Sequence, residues 1–81
     1  MLPNARHARQ RRAAEFLKRF PEDHVAVFSM LTAAEFFFRP RNAREAAEIT
    51  VGRKLSDAEW HEFGPRWEWI WSHIFVPPMG R

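Results

Sequence analysis

The chain has 81 residues, no cysteine, eight Phe, four Trp and a formal net charge of +3. That length makes one domain, residues 1–81, and the lack of cysteine excludes disulfides, thiolate catalysis and cysteine-based zinc sites. The longest apolar run, residues 25–38, is interrupted by Ser29, Thr32 and Glu35 and falls short of the roughly 20 residues a membrane span requires.

The charge is unevenly placed. Residues 1–20 carry a net +5, residues 21–38 a net −3, residues 39–55 a net +3 and residues 56–81 a net −2. Two basic and two acidic segments predict a directional surface rather than a uniform polyanion coat. No apolar segment follows the basic start, so no secretory leader is expected. The Arg-rich opening shares the composition of a mitochondrial presequence, but its apolar positions belong to a helix pattern. A small cysteine-free domain suits a reducing compartment, which makes a cytoplasmic location the expectation.

Residues 5–20 form the first predicted helix. Ala13, Phe16, Leu17 and Phe20 recur at the spacing of one helical face. Upstream, Arg6, Arg9, Arg11 and Arg12 accompany only alanines on that face, so residues 1–12 read either as a solvated helical extension or as a basic arm. On the second reading Arg9 and Arg12 are dispensable to the fold. Pro21-Glu22-Asp23 opens a second helix over residues 22–38, with proline in its first turn and acids at the positive end of the macrodipole. Val27, Met30, Leu31, Ala34, Phe37 and Phe38 form one broad face, and Val25, Phe28 and Phe36 lie opposite. A helix apolar on both sides is expected to be buried on both. The β-branched HVAVF segment leaves open an α+β alternative with a strand at residues 24–31.

Pro40 disfavours helical geometry at Arg39. Asn42 and Glu45 have the spacing of a cap and its partner, and they open a third helix over residues 42–51. Its stripe of small residues is Ala43, Ala46, Ala47, Thr50 and Val51, and Gly52 is placed to end it. Ser56 with Glu59 reads as a capping box for a fourth helix, residues 56–75. Trp60, Phe63, Trp67, Ile70, Trp71 and Ile74 keep one helical phase along it. Gly64-Pro65 either breaks this helix or kinks it. Residues 76–81, with two prolines and a glycine, predict an extended tail. The expected fold is therefore all-α, a small bundle of about four helices.

Catalytic motifs are missing: no HExxH, P-loop, GxSxG or Gly-rich dinucleotide turn occurs. The four histidines lack metal-ligand spacing, so neither a metal nor another cofactor is expected. A helix-turn-helix reading of residues 42–63 is weak, because residues 57–63 carry three acids and no Lys or Arg; DNA phosphate would repel that segment. Trp69 falls opposite the main stripe, beside Arg66, His73 and Glu62. It is either covered by the first helix or the tail, or exposed as an interface anchor with Arg66 stacked on its indole.

The functional expectation is a small non-enzymatic interaction protein that binds and occludes a macromolecular partner, in the manner of a phage- or plasmid-type inhibitor or adaptor of a nucleic-acid-handling complex. The alternative is a direct nucleic-acid-binding protein or small transcriptional regulator. Either way the contact residues are Arg6, Arg9, Arg11, Arg12, Arg39, Arg41, Arg44, Arg53, Lys54, Arg66 and Trp69. The charge pattern fits a monomer or a homodimer with a basic segment against an acidic one.

Overall fold

A computed structural model describes residues 5–37 and 39–76, with the side chains of Ala5, Arg6 and Phe37 excepted. The described residues hold four α-helices: α1 (Ala5–Arg19), α2 (His24–Thr32), α3 (Ala43–Val51) and α4 (Asp57–Ile74). A single 3₁₀ turn, Pro21–Asp23, leads into α2, and a π-helical turn, Ala33–Phe37, prolongs it. The fold is a small all-α bundle. The alternative strand at residues 24–31 is overturned, since those residues lie in α2. The predicted face position of Phe38, and residues 77–81 of the predicted extended tail, lie outside the described residues.

The starts of α3 and α4 follow from local hydrogen bonds. The Asn42 side chain accepts from the Glu45 amide at 2.9 Å, meeting one orphan donor of α3. The Glu45 carboxylate turns to the Arg41 amide, 2.8 Å away. Gly52 ends α3 at φ 81°, a left-handed geometry that favours glycine. At α4 the capping box is complete: Ser56 Oγ accepts from the Glu59 amide at 3.1 Å, and the Glu59 carboxylate accepts from the Ser56 amide at 2.9 Å.

Gly64-Pro65 does not break α4, which runs unbroken from Asp57 to Ile74 with Pro65 inside it. Pro65 cannot donate to the His61 carbonyl, a defect of about 3 kcal/mol in a helix interior. Gly64 makes the continuation sterically tolerable, because a Cβ at the residue before proline is what meets the proline ring in helical geometry. Gly64 is also buried beneath the Trp60 indole. A Cβ there would lie 2.5 Å from the ring.

The core forms where the helical stripes meet. Ala13 and Phe16 of α1, Val27 and Met30 of α2, Ala46 of α3, and Ile70 and Ile74 of α4 make one buried cluster. Leu17, Phe20, Leu31, Trp67, Trp71 and Phe75 close around it. Along the α4 stripe Ile70 and Ile74 are at zero exposure and Trp67 and Trp71 pack against the cluster, while Trp60 and Phe63 are half-buried outside it. On α3 the buried stripe is Ala43, Ala46 and Ala47; Thr50 and Val51 are exposed, so the small-residue face is two positions shorter than its periodicity suggests.

The main departure concerns α2. Val27 and Met30 are fully buried, but Val25 is 66% exposed, Phe28 54% and Phe36 69%. The helix is covered on one side only, not on both. Four helices of this length do not supply a further layer to close the second face.

Gly64→Ala is expected to destabilise the fold by about 1–3 kcal/mol, because overpacking against the indole outweighs the usual helix gain from Ala of about 1 kcal/mol. Urea unfolding of the variant checks this; an unchanged or raised midpoint would refute the packing role of Gly64.

Candidate interaction surface

Most of the arginines expected to meet a partner are held within the fold. Arg12 Nε donates to the Ile74 carbonyl at 2.7 Å, tying α1 to the C-terminal end of α4. That contact puts a cation at the negative end of the α4 dipole. The Arg9 guanidinium lies over the Phe75 ring, 5.2 Å from its centroid. These contacts correct the expectation that Arg9 and Arg12 are dispensable to the fold. Arg11 is exposed. Arg6 falls in α1, but its side chain lies outside the described ones.

The α3–α4 corner uses three more basic residues. Arg44 donates to the Leu55 carbonyl at 2.6 Å and pairs with Asp57 at 3.0 Å and Glu48 at 3.6 Å. Asp57 is thereby paired with Arg44 across the turn. Arg53 grips both oxygens of Glu59, at 2.6 and 3.1 Å. Arg41 pairs with Glu45 at 2.8 Å. The Arg53 hydrogen bonds, aided by the Ser56 amide, hold the Glu59 carboxyl at a pKa of about 2, down from its ordinary 4.5. Arg41 likewise lowers Glu45. Lys54 and Arg39 remain exposed.

Arg66 and Trp69 come together as their spacing suggests. The guanidinium sits 4.5 Å from the indole centroid and 5.4 Å from the Phe20 ring. Its fork reaches the Asp23 carboxylate at 2.5 and 3.3 Å, fastening α4 to the turn that begins α2. Asp23 thus serves as an ion-pair partner, with no side-chain cap bond to α2. Trp69 packs edge-on against Phe16 and Phe20 at 5.4 and 5.1 Å and retains 36% exposure. The first helix covers one side of the indole, and the remaining exposed part borders Arg66 and His73.

The surface that sequence reasoning missed lies on α2. A groove of about 440 Å³ runs between α2 and α3, lined by His24, Val25, Phe28, Ser29, Thr32, Ala33, Ile49 and Thr50. Two of its apolar residues, Val25 and Phe28, were assigned above to a second buried face, and the third so assigned, Phe36, lies outside it. The signal was present as periodicity, but periodicity does not say whether a second apolar face meets its own chain or another. A separate cleft of about 560 Å³ lies beyond the π-helical turn, lined by Arg9, Ala34, Glu35, Phe36, Arg39, Pro40, Trp71 and Phe75.

Among the described residues, no group of three or more His, Cys, Asp or Glu is placed to hold a metal ion, and no helix is long and apolar enough to cross a membrane. No family model matches the chain, and comparison with curated proteins and with solved structures finds no match either.

Two measurements follow from the paired charges. Arg12→Ala is expected to cost about 1–2 kcal/mol through loss of a charged hydrogen bond, whereas Arg11→Ala stays within about 0.5 kcal/mol. Equal urea midpoints for the two variants would contradict the fastening role of Arg12. The depressed Glu59 pKa means that its ion pair stabilises the fold above the ordinary carboxylate pKa of 4.5 and is lost as pH falls toward about 2. Wild type should therefore lose more stability across that acid range than Glu59→Gln does. Parallel acid titrations followed by helical circular dichroism test this.

Proposed function

We propose that the protein is a non-enzymatic, cytoplasmic interaction module that binds a protein partner over the uncovered side of α2 and occludes that partner's surface. The observation that carries this reading is the contrast along one short helix. Val27 and Met30 are sealed in the core, while Val25 and Phe28 stand in solvent at the α2–α3 groove. A contiguous exposed apolar patch is a costly surface for a soluble domain and marks a contact site. Large aromatic side chains are also the ones that carry binding energy when a partner desolvates them.

The charges bear on the kind of partner. Arg41, Arg44, Arg53 and Arg66 already hold carboxylates, so a phosphate track along them would compete with existing ion pairs. That favours a protein partner over direct nucleic-acid binding. The exposed Lys54, in a pocket it shares with Ile49 of the groove, suits a partner whose apolar contact area is bordered by acidic groups. A component of a nucleic-acid-handling complex, blocked in the way phage- or plasmid-type inhibitors act, fits these requirements.

Phe28→Glu tests the reading, because the side chain is exposed and its replacement leaves the core untouched. The variant is expected to keep its thermal midpoint and lose capture of a nuclease-resistant partner from a native lysate. Capture that disappears on nuclease treatment, or that is equal for wild type and variant, would overturn the proposal. Sedimentation of the purified protein separates a foreign partner from a second copy on the same face.

A further inference from the structure

The cleft beyond the π-helical turn has chemistry that the α2–α3 groove lacks. It joins the two basic segments of the sequence, taking Arg9 from α1 and Arg39 from the stretch before α3. Its aromatic wall is layered. The Arg9 guanidinium lies over Phe75, and Phe75 is stacked on Trp71 with ring centroids 4.1 Å apart and planes 9° from parallel. The Arg9 Nε is shielded from solvent and, among the described residues, has no hydrogen-bond partner. Phe36 adds an exposed ring to the same wall.

The charge of the cleft limits what it can take. Two guanidiniums face one carboxylate, Glu35, which already accepts from Gln10 Nε2 at 3.2 Å. Among the described residues that line the cleft, the balance is a single positive charge. That suits one anionic group, whereas a nucleic-acid strand brings a phosphate at every nucleotide and would set one of them against Glu35.

We propose that this cleft binds an acidic–apolar peptide segment of a protein partner. One Asp or Glu carboxylate of the segment meets the guanidiniums of Arg9 and Arg39, whose planar forks match a carboxylate. An adjoining apolar or aromatic side chain lies against Phe36 and Trp71. The inference rests on the reading of the protein as an interaction module. It does not depend on whether the α2–α3 groove is also covered.

Selection from a random peptide display library on the immobilised full-length protein tests it. The recovered peptides are expected to share an Asp or Glu beside an aromatic or branched apolar residue. Arg39→Glu, at an exposed position, should weaken the best of them by about tenfold or more. Phe36→Ser should weaken them too, and Phe28→Glu should not. Each variant's thermal midpoint is measured alongside to show that the fold is kept. Recovery of no acidic peptide above the level seen with Arg39→Glu would overturn the assignment. So would tighter binding of a short single-stranded oligonucleotide with the same dependence on Arg39. If Phe28→Glu abolishes lysate capture while Arg39→Glu leaves peptide binding intact, the module reading survives and the cleft assignment falls.

Discussion

The seam between α1 and α4 holds this bundle together. Ile70 and Ile74 are at zero exposure, and Phe16 and Ala13 belong to the same buried cluster. Truncating a fully buried side chain of that size costs about 2–5 kcal/mol, a large share of what a domain this small has in surplus. The seam is directional as well as apolar. Arg12 completes the C-terminal end of α4 at the Ile74 carbonyl, and the aromatic cluster of Phe16, Phe20 and Trp69 lies on the same pair of helices. With α1 fixed in this way, Arg66 reaches back to Asp23 and sets where α2 begins. The position of α2 in turn decides which of its faces is left open.

That arrangement requires α4 to be one long element. A break at Gly64-Pro65 would leave Trp60 and Phe63 on one helix and Ile70 and Ile74 on another, free to diverge. The proline defect is tolerated because Gly64 supplies no Cβ to meet the proline ring and instead lets the Trp60 indole rest on the backbone. The continuous stripe then spans α1 at one end of α4 and α3 at the other. The same dipeptide that suggests a turn locally is therefore consistent with a helix once the indole is in place.

The parts of the fold that were legible in the sequence are those set by near neighbours. Asn42 with Glu45, Gly52, and Ser56 with Glu59 mark helix ends through bonds spanning three or four residues, and they act as their spacing says. The inward stripe of α4 was legible too, because its phase survives the proline. Tertiary pairings were not. Arg12 with Ile74, Arg44 with Asp57 and Arg66 with Asp23 join residues that no local pattern connects. Read from the sequence alone, those arginines were candidates for a foreign phosphate or carboxylate. Their partners are this chain's own acids and carbonyls, while Val25 and Phe28 on the second apolar face of α2 are exposed.

An apolar face and a set of cations answer different physical demands in a domain of this size. Its cations are inexpensive to keep at the surface, and here several are used to fasten helices that share too little core to hold by burial alone. An exposed phenyl ring has no such internal use. Among the described residues, Phe28 belongs neither to the buried cluster nor to its rim, and its ring meets His24, one turn away on the same helix. Phe36 stands at the wall of a cleft whose other rings belong to α4. Replacing either by a polar residue would not open a cavity, so the core does not require a large apolar side chain at those positions. What a phenyl ring there can supply is contact area for another molecule, and at Phe36 that area lies in the same cleft as the exposed Arg39.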